Sequence, residues 1–256
     1  MNKVLSLSLI PVVATATVAS ITLTPDSAQA VSIGLPAPGE QSLQTILDNI
    51  SSPNAITVQS NAEWFKPNSS SSATSSIVIE FAGNAANNVL GIYNSLGTMV
   101  DIFGGAATQG SKVFLNFNGG NLGVFDINNN VVGSGTFNGF GDNFGFYLRG
   151  VSGQVLYSQS AKNSGGFDAM AAFSGANNPT TLTLPPNGSH GSFDDGDWIF
   201  AWEDSFNGDG DYNDFVVHAS DVEAVPEPLT ILGTGLALGL GGLFKSKQSK
   251  KQSLEA

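Results

Sequence analysis

The fold of this chain is decided by a stretch that reads Trp198-Ile199-Phe200-Ala201-Trp202-Glu203-Asp204, then Ser205-Phe206-Asn207-Gly208-Asp209-Gly210-Asp211-Tyr212-Asn213-Asp214-Phe215-Val216-Val217-His218. Residues 194–221 around it hold nine carboxylates and no lysine or arginine. A surface that only has to stay soluble mixes charges of both signs. Carboxylates this close in sequence repel one another unless a cation lies among them.

Apolar residues on both sides of the acidic part alternate with the period of β-strands. Residues 198–202 are predicted to form one strand and Tyr212 to Ala219 the next, with Asp214 and His218 on the same face. The loop between these strands would have about nine residues, whereas tight hairpins use about two to five. A loop of that length needs an interaction that keeps it ordered.

The acidic residues of this loop supply hard oxygen ligands, which calcium prefers. The predicted calcium ligands are Glu203, Asp204, Asn207, Asp209, Asp211 and Asp214. The loop is not an EF-hand. If Asn207, Asp209 and Asp211 are aligned with positions one, three and five of an EF-hand loop, Tyr212 takes the position of the required glycine and His218 that of the bidentate glutamate. Two alternatives stay open: a solvated turn built from turn-forming residues, and a cluster of catalytic carboxylates.

The end of the stretch resembles the closing signature of a bacterial extracellular family, the domain of unknown function 4114. That signature has an aromatic residue followed by Glu-Asp, a glycine-rich spacer and Asp-Tyr-Asn-Asp. Here these parts are Trp202 to Asp204, Gly208 to Gly210 and Asp211 to Asp214. The resemblance covers roughly residues 140–220. It implies an extracellular domain whose acidic residues take part in metal binding or enzymatic activity, without a settled function.

The composition favours β-structure with many turns. Only 12% of the 256 residues are charged, 31 are glycine and none is cysteine. Gly, Asn, Ser and Thr are common between short apolar runs. Because no disulfide can form, an exported form of the chain needs a hydrophobic core or a metal for stability.

One helix and a series of strands are predicted along the body of the chain. Apolar side chains repeat at helical spacing at Leu43, Ile46, Leu47 and Ile50. This spacing predicts a helix from Glu40 to Ile50, which Ser51-Ser52-Pro53 ends. The strands predicted before the acidic hairpin are Ile77 to Phe81, Val89 to Asn94, Thr98 to Phe103, Lys112 to Phe117, Leu122 to Ile127, Phe144 to Arg149, Val155 to Ser158, Phe167 to Phe173 and Thr180 to Leu184.

The predicted fold is therefore all-β, a β-sandwich or jelly roll of about 10 to 11 strands with one short N-terminal helix. No helices separate the strands, which argues against a parallel α/β sheet. The expected organisation is a helical segment over residues 31–55 and one β-domain over residues 56–224. A division into two domains near Gly135 is the alternative.

The first 30 residues have the features of a secretory signal peptide. Lys3 supplies the positive start, and a largely apolar run extends from Val4 to Ile21. Ala28 and Ala30 form a small-x-small cleavage site, which predicts a mature N-terminus at Val31. Such a signal implies the Sec export machinery as a partner. An uncleaved membrane anchor is the alternative.

The other end has three parts that resemble a PEP-CTERM sorting signal. Val225 is followed by the motif Pro226, Glu227 and Pro228, an uncharged segment over residues 229–244 and a lysine-rich tail over residues 245–251. The uncharged segment is predicted to be a transmembrane helix with its basic end in the cytoplasm. The resemblance implies processing by an exosortase-type membrane protease in bacteria that make exopolysaccharide. An ordinary tail anchor is the alternative.

The charge of the predicted mature body excludes two classes of partner. Residues 31–224 contain 18 acidic and four basic residues, a formal net charge of −14. Such a surface will not bind nucleic acid through its phosphates, nor an anionic membrane. It suits cations, neutral sugars and a hydrated matrix, so extracellular polysaccharide is an expected partner.

No catalytic residue is predicted, because no nucleophile and base stand in a known motif. Trp198, Trp202 and Tyr212 could stack on sugar rings, but their alternation with apolar residues favours core packing. The function predicted from the sequence is an exported cell-surface or extracellular-matrix protein with a calcium-stabilised β-sandwich. The competing prediction is a secreted carbohydrate-active enzyme that uses Glu203 and Asp214.

Overall fold

The computed structural model describes residues 30–68, 72–80, 88–105, 107–150, 152–184, 188–206 and 208–226. Ala30 and Pro226 lie inside these ranges, and both are exposed. The rest of the predicted signal peptide, with Ala28, lies outside them. So do Glu227, Pro228 and the predicted membrane segment at 229–244. Within the described ranges, no helix is both long enough and apolar enough to span a membrane.

The described chain consists of one α-helix, two 3-10 helices and seventeen strands. The helices are α1 (Leu43–Ile50) and the 3-10 turns Ser160–Lys162 and Ser164–Gly166. The strands are β1 (Ser51–Ser52), β2 (Gln59–Ser60), β3 (Phe65–Pro67), β4 (Ser72–Glu80), β5 (Val89–Asn94), β6 (Met99–Phe103), β7 (Lys112–Asn118), β8 (Asn121–Asp126), β9 (Val131–Phe137), β10 (Phe144–Arg149), β11 (Val155–Tyr157), β12 (Met170–Ser174), β13 (Thr180–Leu184), β14 (Ser189–Phe193), β15 (Trp198–Trp202), β16 (Phe215–Ser220) and β17 (Val222–Ala224).

Two antiparallel sheets lie on either side of the main hydrophobic core. The larger has the order β2-β12-β15-β16-β4-β7-β8-β9, and the smaller has the order β17-β3-β10-β5-β6 with β11 beside β10. Aromatic rings from both sheets meet between them: the ring of Phe200 lies 4.9 Å from that of Phe65 and 4.7 Å from that of Phe146. The expectation of an all-β chain with one helix is confirmed.

A second, smaller core lies on the opposite face of the larger sheet. Helix α1 and the three-stranded sheet β1-β13-β14 cover strands β12, β15 and β16 there. As a result, β15 is buried on both faces: Phe200 points into the main core, and Ile199 and Ala201 point into the second. A strand covered on both sides is apolar throughout, as the sequence of β15 is.

The helix begins three residues later than the sequence pattern predicts. Ser42 caps its N-terminus, with the Ser42 hydroxyl oxygen accepting a hydrogen bond of 3.2 Å from the backbone N–H of Thr45. Serine is among the best N-cap residues, because its side chain satisfies an unpaired N–H of the first turn. Glu40 therefore lies outside the helix, in the segment that leads into it.

The predicted strand number was wrong, and the error has two sources. Three of the strands predicted before the hairpin, Val89–Asn94, Phe144–Arg149 and Thr180–Leu184, agree with β5, β10 and β13 at both ends. The strands that the pattern missed are β1, β2, β3, β9, β14 and β17. Most of these have only two or three residues, and the others contain glycine and serine, so neither group shows a clear apolar alternation.

Candidate functional site

The acidic loop is the connection of an antiparallel hairpin. Strands β15 and β16 pair along their length, and Trp202 lies opposite Phe215 at the end next to the loop. Glu203 and Asp214 are therefore the first residues beyond the paired strands on either side. The backbone N–H of Asp204 donates a hydrogen bond of 2.9 Å to Oδ2 of Asp214, which holds the two sides together.

Tyr212 fixes the path of the chain on the return side of the loop. It has a left-handed backbone conformation with φ of 56°. A bulky residue rarely adopts this conformation unless its surroundings hold it there. Its hydroxyl donates a hydrogen bond of 2.6 Å to the carbonyl oxygen of Asp168. This turn explains why β16 begins at Phe215 rather than at Tyr212, as the alternation predicted.

Glu203 is the buried centre of the loop. Its side chain is 1% exposed, and its carboxylate accepts a hydrogen bond from the backbone N–H of Tyr212, while its Oε2 has no hydrogen-bond partner. Burial raises the pKa of Glu203 to about 8, with further contributions from the charges of Asp214, Asp209 and Asp211. A buried carboxylate oxygen without a donor destabilises the folded state, and a positive charge or a hydrogen-bond donor at this oxygen would offset that cost.

Two more carboxylates in the loop share this environment. Burial, with the nearby charges of Asp204, Asp211 and Asp209, raises the pKa of Asp214 to about 7. Burial also raises the pKa of Asp211 to about 6, and the charge of Asp209 adds to the effect. The loop therefore holds several carboxylates whose charged forms are destabilised in the absence of a cation.

Asn213 organises the floor of the loop beside Asp211. Its backbone N–H donates to Oδ1 of Asp211 at 3.1 Å, and its side-chain amide donates to Oδ2 of the same residue. The same amide donates a hydrogen bond of 2.8 Å to the carbonyl oxygen of Gln41. Asn213 is 1% exposed, and its Oδ1 has no hydrogen-bond partner. A second buried oxygen thus stands unpaired close to the carboxylates.

The structure brings together five of the six predicted ligands, although one of them is also bonded to a residue outside the loop. The charges of Glu203, Asp209, Asp211 and Asp214 act on one another, and the charge of Asp204 acts on Asp214. Asp204 lies beside Asp214, but its Oδ2 accepts a hydrogen bond of 3.1 Å from the side-chain amide of Asn88. Asn207 lies outside the described residues.

One acidic residue at this site was missed by the sequence prediction. Glu40 has a carboxylate oxygen within 4.8 Å of carboxylate oxygens of Asp209 and Asp211. It lies far from the loop in sequence and belongs to no motif there, so no spacing pattern could have indicated it. The burial of Leu43 and the other apolar residues of α1 is what brings this segment to the loop.

The aromatic residues around the loop belong to the interior of the protein. Trp198, Trp202 and Tyr212 are 6%, 0% and 5% exposed. The interpretation of these rings as core residues is confirmed, and they have no free face for stacking on a sugar. Elsewhere in the hairpin, Nε2 of His218 lies 3.5 Å from Oδ1 of Asp197, and both side chains are mostly buried.

Chemically, the loop presents oxygen atoms and no nitrogen or sulfur ligand. Hard divalent cations bind such oxygens, and calcium accepts about six to eight of them at roughly 2.3–2.6 Å. Two ligands of one calcium ion can be at most about 5 Å apart at those bond lengths. Glu40, Asp209 and Asp211 each have one carboxylate oxygen close enough to the other two for a single ion to contact all three.

Comparisons with known proteins find a family match for part of the chain. Neither a curated protein nor a solved structure matches it. The matched family region begins before β10 and ends with β16, so it includes the whole acidic loop and leaves out α1 and Glu40. It covers 82 of the 256 residues. Residues 139–220 match the family model described as Domain of unknown function (DUF4114).

Proposed function

We propose that this is an exported cell-surface or extracellular-matrix protein whose acidic loop binds calcium and whose role is structural or binding. The observation that carries the proposal is that Oε2 of Glu203 is buried without a hydrogen-bond partner. The negative charges of Asp214, Asp209 and Asp211 also act on this carboxylate. Bound calcium would supply the positive charge that these carboxylates lack. It would also hold in place a loop too long for a tight hairpin.

The ligand chemistry supports calcium over zinc and over magnesium. Zinc sites use cysteine and histidine, whereas the chain has no cysteine and the loop residues described here offer only oxygens. Magnesium requires near-ideal octahedral geometry and gives up its waters reluctantly. A crowded loop of irregular carboxylates and an amide oxygen suits the flexible coordination of calcium.

The alternative is a carbohydrate-active enzyme that uses Glu203 and Asp214. One observation favours it, because catalytic carboxylates also have strongly raised pKa values, as both residues do. Burial argues against it. A catalytic acid must reach its substrate, whereas Glu203 is 1% exposed and its carboxylate packs against Gly208. The binding role is therefore the better supported of the two.

Export and sorting are the remaining parts of the proposal. The small-x-small sequence at Ala28 and Ala30 supports passage through the Sec machinery. The Pro226-Glu227-Pro228 motif, the apolar segment after it and the basic tail support anchoring in the inner membrane and processing by an exosortase-type protease. The net charge of −14 suits a hydrated polysaccharide matrix.

The fold assigned to this exported body is a β-sandwich or jelly roll. Support comes from the two antiparallel sheets that share one core, in which side chains of β10 and β15 meet. Aligned sheets that face each other across a core of this kind define sandwich architectures.

A calcium titration followed by thermal unfolding tests the metal-binding part. A ligand that binds only the folded state adds about 2.7 kcal/mol at a hundredfold excess over its dissociation constant. For a domain of this size we expect a rise in Tm of roughly 5–10 °C over chelator. Magnesium at the same concentration should raise Tm less. A Tm that is the same in chelator and in millimolar calcium would exclude a calcium-stabilised loop.

A matched pair of variants locates the effect. Glu203→Gln keeps the shape of the side chain but removes its charge, and it should lose most of the calcium-dependent rise while remaining folded. Asp195→Asn removes one charge from the same acidic stretch outside the loop, where Asp195 is exposed, and should keep the rise. An equal rise in both variants would show that calcium acts through general charge screening. Turnover of polysaccharide that disappears in Glu203→Gln would instead support the enzyme.

Intact-mass measurement of the protein released from its host tests the sorting part. We expect an N-terminus at Val31 and a C-terminus near the Pro226-Glu227-Pro228 motif. A released form that keeps the lysines of residues 245–251 would exclude processing at the motif.

A further inference from the structure

The segment that precedes α1 is fastened to the acidic loop by backbone contacts. The N–H of Gly34 donates a hydrogen bond of 2.6 Å to the carbonyl oxygen of Gly210. The approach is close enough that a methyl group on Gly34 would lie 2.6 Å from the carbonyl oxygen of Asp209. Farther along, the carbonyl oxygen of Gln41 accepts the side-chain amide of Asn213. We call residues 33–41 the N-terminal strap.

The strap brings a carboxylate of its own to the loop. A turn in which the N–H of Glu40 donates to the carbonyl oxygen of Ala37 at 3.0 Å sets the direction of Glu40. One oxygen each of Glu40, Asp209 and Asp211 then lie within 4.8 Å of one another. No lysine, arginine or histidine forms an ion pair with any of the three among the residues that the structure describes. Three carboxylates in such contact repel one another, so without a cation the strap is held against electrostatic opposition.

Unpaired buried oxygens beside this group indicate a missing ligand, which an acidic cluster alone would not. Oε2 of Glu203 is buried without a partner, and the Glu203 carboxylate packs against Gly208, next to Asp209 in the chain. Oδ1 of Asn213 is also buried without a partner, and the same side chain bonds both Asp211 and the strap. Both unpaired oxygens therefore belong to residues that contact Asp211 or the chain neighbour of Asp209.

We propose that Glu40 is a ligand of the cation bound in the acidic loop, and that the cation thereby clamps the N-terminal strap onto the hairpin. The inference rests on the calcium binding proposed above and adds a ligand from outside the region that matches the family model. Removing the cation would leave Glu40 facing Asp209 and Asp211, so the strap should open in chelator. Its calcium-free state would expose the backbone of Gly34 and Gln41.

Hydrogen exchange and calcium affinity, measured on the intact protein, test this clamp. In wild type, calcium should slow amide exchange in the peptide that contains the strap. Glu40→Gln should weaken calcium binding roughly tenfold, because calcium affinity follows the number of charged ligands. Its strap should exchange at the chelator rate at calcium levels that protect wild type. Asp48→Asn is the matched control: Asp48 is exposed on α1, and its loss should leave both measurements unchanged.

A second variant tests the clamp without altering any ligand. Gly34→Ala forces the strap away from Asp209, so calcium should bind more weakly and protect the strap less, although all carboxylates remain. Three results would overturn the inference while leaving calcium binding intact: equal affinity in Glu40→Gln and wild type, unchanged affinity in Gly34→Ala, or strap exchange that ignores calcium. A wild type whose Tm does not respond to calcium would overturn both the clamp and the proposed calcium site.

Discussion

Two turns of this protein use the same residue types and differ in what their carboxylates contact. In the turn between β8 and β9, Oδ1 of Asp126 accepts the backbone N–H groups of Asn128 and Asn130 at 2.8 and 2.7 Å. Its Oδ2 accepts the side-chain amide of Asn130 at 2.9 Å. These hydrogen bonds lower the pKa of Asp126. In the β15–β16 loop, burial and nearby carboxylates raise the pKa of Glu203, and its Oε2 has no hydrogen-bond partner.

The difference separates a self-sufficient turn from a loop with an unpaired buried carboxylate oxygen. Both segments contain the turn-forming residues Asp and Asn, so these residue types alone do not distinguish them. The Asp126 turn satisfies its carboxylate with the chain's own donors while Asp126 remains partly exposed to water. The β15–β16 loop buries Glu203 and leaves one of its oxygens unpaired. The proposed cation site is therefore supported by unsatisfied oxygens rather than by acidic residues alone.

The largest expected effect is a dependence of the calcium-free protein on pH. The folded-state pKa values of Glu203 and Asp214 are raised to about 8 and about 7, above the usual values for unfolded carboxyl groups. The unfolded state therefore loses these protons first as pH rises, and the free energy of unfolding falls between about pH 5 and pH 8. In chelator we expect a loss on the order of 3 kcal/mol across this range, measured by urea unfolding.

Calcium should reverse this trend. Because a cation binds the deprotonated carboxylates, the stabilisation by calcium should increase as pH rises from 5 to 8. Glu203→Gln serves as the control, since it removes the carboxyl group with the highest pKa in the loop and should flatten the profile in chelator. A stability that rises with pH in chelator would contradict the assignment of a strained, cation-free loop.

The sequence predicted more of the fold than of the contacts at the candidate site. Alternating apolar residues located β10, β13 and β15, because the side chains of a strand face opposite sides of its sheet. The acid-rich composition located the hairpin loop. The left-handed turn at Tyr212 leaves no mark in an apolar pattern, so β16 was predicted to begin too early.

The chemical state of the loop depends on contacts between distant parts of the chain. Glu40 reaches Asp209 and Asp211 only because α1 packs on the outer face of β15 and β16. The side chain of Asp204 accepts a hydrogen bond from Asn88, the residue before β5, and this contact also joins segments far apart in sequence. Spacing within a motif can show which residues are available as ligands, whereas tertiary packing decides which of them meet.

A smaller effect is expected from Gly208→Ala, which tests how tightly the loop closes on Glu203. A methyl group at this position would overlap the Glu203 carboxylate. Overpacking of a buried site costs typically about 1–3 kcal/mol, so we expect a loss of roughly 2 kcal/mol together with a weaker response to calcium. Gly191→Ala is the control, because a methyl group there would meet open space. Equal unfolding midpoints for both variants would show that the loop yields without cost.

The smallest effect is expected in the self-sufficient turn, from Asp126→Asn. The substitution replaces a charged acceptor of three hydrogen bonds by an amide, so the variant should be slightly less stable at pH 7. Because the folded-state pKa of Asp126 is lowered, its contribution is present above the unfolded value near 3.8 and disappears as pH falls below it. The difference from wild type should therefore shrink as pH falls below about 3.8 and should be identical in chelator and in calcium. Asp142→Asn, at an exposed position, controls for the loss of one surface charge. If calcium changed the stability of Asp126→Asn as much as that of Glu203→Gln, its effect would depend only on the net charge of the protein. The contrast between the two turns would then lose its physical basis.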